Sequence, residues 1–175
     1  MKTKEEINIA FIPIIQRKNG ITSIIAHTVV DAEDVVWLGE YNWYMRGGYA
    51  VMTIGSKMYS MARMIMGLRR GSERQIDHQN GIRLDNRKSN LRICTHTQNA
   101  RNAKKIEYRN NKKTTSKYRG VSWDSTNKRW LVTIRHGGCN INIGSFSEGM
   151  EKEAGLKYNE YARKWHKQFC RLNVI

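Results

Sequence analysis

The 175-residue chain has one proline, three cysteines and only 15 acidic side chains. Each scarcity excludes something. Cys94, Cys139 and Cys170 are far apart and odd in number, so they build neither a disulfide framework nor a Cys-x-x-Cys zinc site. A reducing compartment is expected. Long apolar runs are also missing. The uncharged apolar run at residues 7–16 spans only ten residues and includes Asn8, Pro13 and Gln16. A transmembrane helix needs ~20, which excludes one here. Lys2 and Lys4 are followed at once by Glu5 and Glu6, and no small-residue cleavage site comes after them, so no signal peptide is expected. There is no internal repeat and no low-complexity tract. What is present, 39% apolar and 26% charged residues, is enough for small cores and too apolar for a disordered tail. The length allows one domain or two small ones.

The shortage of acid leaves a surplus of base. Lys plus Arg number 31, and the net charge is +16. Residues 1–58 carry six basic and six acidic side chains and are neutral; residues 59–175, with 25 basic and 9 acidic, hold the entire surplus. Such asymmetry is the electrostatic footprint of a polyanion binder, although a merely solvated basic face gives the same count.

Along the chain, residues 1–20 read as a short extended or frayed lead, with Pro13 breaking any helix. The runs 21–30, 35–38, 49–54 and 58–66 are β-like and separated by acidic or glycine punctuation, Gly47-Gly48 serving as a hairpin turn. Asn80-Gly81 is the strongest turn signal in the chain. Thr95 and Gln98 have the spacing of a capping box and predict a helix from His96 to about Asn111. Residues 101–117 form a basic connector, and its 110–116 end reads as a boundary. Beyond it, 118–123, 129–135 and 140–146 read as three short strands. A final helix spans about 150–169, with Ala154, Tyr158, Tyr161, Ala162 and Trp165 on one face.

The chemistry concentrates in 75–102. Asp77 and His78 are adjacent, Asn90 follows twelve residues after His78, and Asn99 nine after that. A phosphodiesterase working at neutral pH needs a base for its water and positive charge at the scissile phosphate. His78 has the right titration range for the base. In a strand Asp77 points to the opposite face from His78, so one can hold a metal while the other meets water. Oxygen donors from Asp77 and Asn99 suit a hard cation such as Mg²⁺ rather than zinc. Asn90 has the length to accept the imidazole N–H and fix its tautomer. Each residue alone has an ordinary structural reading as turn, cap or charge balance; the set within one short span points to chemistry.

Tyr59-Ser60-Met61-Ala62-Arg63-Met64-Ile65-Met66-Gly67, followed by Ile76-Asp77-His78-Gln79-Asn80-Gly81, Asp85-Asn86-Arg87, Ser89-Asn90-Leu91-Arg92 and Thr95 to Asn99, resembles the ββα-metal core of HNH endonucleases, closest to the phage and intron-encoded homing type. The resemblance implies Asp77 as metal ligand, His78 as general base, Asn90 as its orienting partner and Asn99 as the second ligand. It also implies one Mg²⁺ or Mn²⁺ per site, and 5′-phosphate and 3′-hydroxyl products. Asp85-Asn86-Arg87 matches as loop scaffolding. The chain departs from many relatives in having Ala62 where they place histidine before the strand arginine. Arg63 is a candidate to grip a phosphate, or to pair with Asp85 or Glu73.

Residues 116–174 resemble the ethylene-response-factor (AP-two) DNA-binding domain through Tyr118-Arg119-Gly120-Val121, Trp130 with Ile134-Arg135, Ile143-Gly144-Ser145-Phe146 and the closing Arg171-Leu172-Asn173. That resemblance implies a three-stranded sheet lying in the major groove. Alternation separately puts Val132 and Ile134 inward and Thr133, Arg135 and Arg119 outward. Arg119 and Arg135 are the expected base readers. Lys117, Lys128 and Arg129, with Lys104 and Lys105 of the connector, are the expected phosphate contacts. Trp123 and Trp130 suit either core or nucleic acid. Ser122, Asp124 and Asn140 stand where plant members carry arginine, which predicts a less charged reading face.

The expectation is therefore an α+β chain: an N-terminal β-rich scaffold (1–58), an HNH core (59–112) and an AP-two-like domain (113–175). Its function would be nicking of double-stranded DNA, as a monomer, without a small-molecule cofactor or membrane, in the cytoplasm (that of the host cell if phage-encoded). The alternatives are a DNA-binding regulator with a vestigial core and an RNA-binding or ribosome-associated protein. No RNP-type aromatic motif or GxxG clamp favours the last.

Overall fold

The computed structural model describes residues 8–109 and 111–175. Two compact units divide the chain, Met1–Asn99 and Ala100–Ile175. Both mix helix and antiparallel sheet. Among the described residues no helix is long and apolar enough to cross a membrane.

The first unit opens with β1 (Ile9–Lys18) and β2 (Ile21–Asp31), an antiparallel hairpin turned at Asn19 and Gly20, whose φ values of 51° and 78° are left-handed. Of the extended and frayed readings of this lead, the described part takes the extended one, as a full strand. Residues 1–7 of that expected lead lie outside the described residues. Pro13 is tolerated because parallel pairing to the next strand begins only at Ile14, so one side of β1 makes no demand for its missing N–H. After a 3-10 turn, α1 (Val35–Gly39) replaces the strand expected at 35–38; a short apolar run can serve a buried helix as well as a strand. β3 (Trp43–Arg46), β4 (Tyr49–Ile54) and β5 (Lys57–Ser60) complete a five-stranded sheet ordered β2-β1-β3-β4-β5. Then 61–66, read as the end of a strand, turns into α2 (Met61–Ile65). Ile12, Ile14, Val30, Leu38, Trp43, Ala50, Met52 and Met61 form the core. Trp43 buries all but 1% of its surface and donates its indole N–H to Leu38 O at 2.8 Å, so the largest core side chain leaves no polar atom unpaired.

β6 (Gln75–His78) and β7 (Leu91–Cys94) follow as a separate two-stranded antiparallel sheet, and α3 (His96–Asn102) comes next. The capping box closes at its start: Gln98 N–H donates to Thr95 Oγ1 at 3.2 Å, and Thr95 N–H to Gln98 Oε1 at 2.8 Å. The long loop between β6 and β7 is stitched to β2. Val29 N–H donates to Leu84 O and Asn86 N–H to Val29 O, both at 2.8 Å, and Lys88 N–H donates to Asp31. The neutral N-terminal sheet is therefore the wall against which the motif loop is folded.

α3 stops at Asn102, well short of the expected 111. The second unit supplies the reason. The Arg119 guanidinium donates to Ala103 O, and to Ala100 O at 2.9 Å, while Arg171 donates to Asn102 O at 3.3 Å. Arginines satisfy the last-turn carbonyls that another helical turn would need. A two-residue hairpin follows, β8 (Tyr108–Arg109) and β9 (Lys112–Lys113); Asn110, at the start of the expected boundary segment, lies outside the described residues. β10 (Val121–Asp124), β11 (Arg129–His136) and β12 (Cys139–Ser147) form a three-stranded antiparallel sheet packed on α4 (Glu151–His166). Its core is Tyr118, Val121, Val132, Ile134, Ala154, Tyr158 and Ala162. The chain end is tied back through Asn173, which accepts from Arg119 N–H at 2.7 Å and donates its own N–H to Asn159 at 2.7 Å.

Candidate functional site

The β6–β7 register pairs Gln75 with Cys94, Asp77 with Arg92 and His78 with Leu91. Cross-strand neighbours share a face, so Asp77 meets Arg92 directly, and Arg92 Nε lies 2.7 Å from Asp77 Oδ2. Asp77 is 4% exposed, and a buried carboxylate needs such a partner. His78 turns to the opposite face, toward the loop and Tyr49, whose ring centroid is 5.8 Å away. The charge of Asp77 still acts on the imidazole.

The environment of His78 can be followed atom by atom. Thr28, fully buried on β2, donates its hydroxyl to Leu84 O at 2.8 Å. That leaves its oxygen to accept from Asn86 Nδ2 at 2.7 Å, and Asn86 Oδ1 then faces His78 Nε2 at 3.2 Å. The order of donors fixes the tautomer: Nε2 carries the hydrogen and Nδ1 the lone pair. Burial pushes the His78 pKa below its usual 6.5, outweighing the opposite pull of the Asn86 hydrogen bond and of Asp77 and Asp85. His78 is therefore neutral at pH 7, the form a base must have.

The hydrogen bond expected from Asn90 to this imidazole comes from Asn86 instead. Asn90 accepts Asn80 N–H at 3.0 Å and donates to Asp85 O at 2.7 Å, pinning the Asn80-Gly81 turn to the loop. Its role is to shape the loop that delivers Asn86. The loop is held further by Asp85, which takes a two-pronged ion pair from Arg87 (2.7 and 2.6 Å) and an N–H from Asn80; the Arg87 hydrogen bond keeps its carboxyl below the usual carboxylate range. Asn99, on α3, donates its amide to Gln75 Oε1 at 2.8 Å, on the face of β6 that bears Asp77. Gln75 in turn has its own amide 3.1 Å from His96 Nδ1. Asn86, Arg92 and Gln75 were not singled out in the sequence as partners of the site. Their signals lie in strand register and loop folding, not in spacing.

Residues 71–101 match the family model described as HNH endonuclease. The match supports an HNH nuclease domain there, and contains Asp77, His78, Asn90 and Asn99 but not Arg63. No curated protein and no solved structure matches the chain.

HNH nucleases generally use a divalent metal, and the donors available to one here are few. Among the described residues no cluster of three or more His, Cys, Asp or Glu side chains forms a ready cage. Asp77 offers carboxylate oxygens, and Asn99, its NH₂ engaged by Gln75, offers an amide oxygen. Mg²⁺ sites commonly draw only one or two carboxylates from protein and complete the shell with water and substrate phosphate, so the oxygen donors of this pair suit a hard cation in chemical type. Arg92, on Oδ2, would have to share that atom.

The remaining candidates are more dispersed. Arg63 donates to Arg74 O at 3.0 Å and Arg69 O at 2.7 Å, so it braces a backbone loop and pairs with neither Asp85 nor Glu73. In the second unit Thr133 and Arg135 are exposed on β11 while Val132 and Ile134 are buried. Arg129, exposed, reaches Ser145 Oγ at 3.4 Å, and Lys128 sits exposed at the β10–β11 turn with φ of 47°. Trp130 packs against the core and meets Trp123 edge-on at 4.9 Å, which is the core reading of the two offered for it. Arg119, expected outward as a base reader, is spent on the α3 carbonyls. Lys104 and Lys117 are exposed and Lys105 half-buried.

Proposed function

We propose that the chain is a DNA endonuclease that hydrolyses phosphodiester bonds with His78 as general base. The observation that carries this is the Thr28–Asn86–His78 relay, which holds a neutral imidazole in one tautomer inside the segment matching the HNH family model. His78 Nδ1 takes the proton of the attacking water. Asn86 accepts the Nε2 hydrogen and stabilises the imidazolium as it forms. Asp77 and Asn99 would hold a divalent ion, which when bound supplies positive charge at the scissile phosphate and the departing 3′ oxygen. Arg92 pairs with the Asp77 carboxylate and orients it.

Binding is assigned to the basic remainder. The exposed β11 face with Thr133 and Arg135, on a sheet of the type resembling the ethylene-response-factor domain, would lie in the major groove, with Arg135 the base reader and Lys117, Lys128 and Arg129 on phosphates. One site per chain implies nicking by a monomer. Homing in phage or intron context, and action in the host cytoplasm, complete the reading.

A supercoiled-plasmid assay tests it. Wild type should nick in Mg²⁺ or Mn²⁺ and stop with chelator, and His78→Ala should lose about 10²–10⁴-fold, the usual worth of a positioned base. If His78→Ala cuts like wild type, the base is misassigned. A non-catalytic regulator would bind duplex and never nick it.

A further inference from the structure

The second unit contains a cavity of about 290 Å³ walled by the segments 104–105, 117–119 and 171–174. Five cationic side chains line it, Lys104, Lys105, Lys117, Arg119 and Arg171, and no acidic residue does. The walls are fixed rather than fluid. Arg119 and Arg171 have their guanidinium groups tied to the α3 carbonyls, and Asn173 ties the terminal segment to the backbone of Arg119 on both its N–H and its O. The lysines are what is left to act. Among the described residues, Lys104 and Lys105 have no ion-pair or hydrogen-bond partner. Lys117 donates its backbone N–H to Glu151 Oε1 at 3.2 Å, while its ammonium lies 5.1 Å from the Tyr118 ring.

A half-buried ammonium beside an anchored guanidinium is costly in the free protein. Burial and the Arg119 charge both press the Lys105 pKa down, and Glu151 offsets this only in part, its carboxylate being engaged by Ser116 Oγ at 2.7 Å. A charge arrangement that destabilises the free fold is explained if an anion fills the cavity in the working state. The volume lies at the lower end of the ~300–1,000 Å³ of small-ligand sites, enough for a phosphate group with little attached.

We propose that this cavity is a second nucleic-acid contact: it takes one phosphodiester phosphate of the duplex, on the lysine ammonium groups that line it beside the anchored Arg119 and Arg171. It reads no base, so it adds affinity without selectivity. The inference rests on the duplex-binding part of the proposed function, and assigns Lys104 and Lys105 to a cavity, apart from the exposed β11 face.

The test is duplex binding by the full chain in chelator, which stops cleavage, as a function of salt. Lys105→Gln should make the slope of log K against log salt shallower by about one, and weaken binding about tenfold at ~0.1 M salt, equally on two unrelated duplexes. Lys104→Gln/Lys105→Gln should remove about two. The thermal midpoint of Lys105→Gln should be equal to or above wild type, because repulsion is relieved; a structural role would lower it. Wild-type binding with an unchanged slope in both variants would overturn the cavity assignment while leaving the duplex reading intact. Inorganic phosphate, followed by amide NMR shifts at Lys105 and Arg119, separates the sources: strong shifts combined with an unchanged duplex slope would mean a free-phosphate site and likewise overturn the proposal. A wild type that binds no duplex sinks the duplex reading and this inference with it.

Discussion

A neutral imidazole can carry its hydrogen on either nitrogen, and only one of the two tautomers presents a lone pair to water at a given place. In this chain the choice is made two hydrogen bonds away from the ring, by a threonine hydroxyl committed to Leu84 O. Asn86→Ala should therefore do two things. It leaves the Thr28 oxygen and the His78 N–H without their partner in a buried site, costing about 1–3 kcal/mol of stability in denaturant melts. It also frees the ring to change tautomer and rotate, lowering nicking about 10–100-fold, as lost outer partners of active histidines do. The ¹⁵N shifts of His78 discriminate the relay from mere packing: wild type should show a protonated Nε2, and Asn86→Ala a mixture. If Asn90→Ala, rather than Asn86→Ala, changes the tautomer, the relay is wrongly drawn. Asp77, His78, Asn90 and Asn99 stand out as a candidate set because their types and order survive in the linear chain, and all four fall within the matched 71–101. Which asparagine touches the ring was not legible. Asn86 and Asn90 are four apart in one loop, and only the backbone pairing of Val29 with 84–86 decides which amide reaches inward.

At the scale of elements, the same contrast recurs. The α3 start was legible because a capping box is a local contract between Thr95 and Gln98. The α3 end was not, because Arg119 and Arg171, distant in sequence, satisfy its carbonyls. The three-stranded sheet was legible from alternation and turns, and its packing on α4 depends on one backbone position. Gly120 sits at φ +74°, and a Cβ there would lie 2.1 Å from Tyr158 Cδ2 and 2.7 Å from Thr133 O. Tyr158 is a core ring and cannot swing away, and the Thr133 carbonyl is backbone. Gly120→Ala should lower stability by about 3 kcal/mol or more, overpacking and left-handed strain acting together. The measurement is a denaturant midpoint. A shift under about 0.5 kcal/mol, the usual range of a surface change, would mean that α4 does not pack on the sheet in this way.

For the molecule as a whole, a charge of +16 is a standing source of self-repulsion that acid makes worse. Two buried histidines sharpen the effect. His166, on α4, lies with Nε2 2.9 Å from Arg135 O and Nδ1 unpaired, and burial lowers its pKa; His78 is lowered by burial as well. A histidine whose folded pKa is depressed binds fewer protons folded than unfolded, so it has no effect on stability above the unfolded value of about 6.5. Below that value the unfolded chain takes up the proton first. Each such group then removes up to about 1.4 kcal/mol per pH unit until its own folded pKa is reached. The thermal midpoint, measured in chelator, should be nearly flat from pH 8 to 7 and fall steadily below pH 6.5. His166→Gln keeps a donor for the Arg135 carbonyl and has no proton to gain, so its acid limb should be shallower. Bound duplex neutralises the same positive field and stabilises only the folded chain, so it should raise the midpoint and flatten the acid limb further. A midpoint that holds from pH 8 to 5 in wild type would mean that neither imidazole is enclosed as the fold requires.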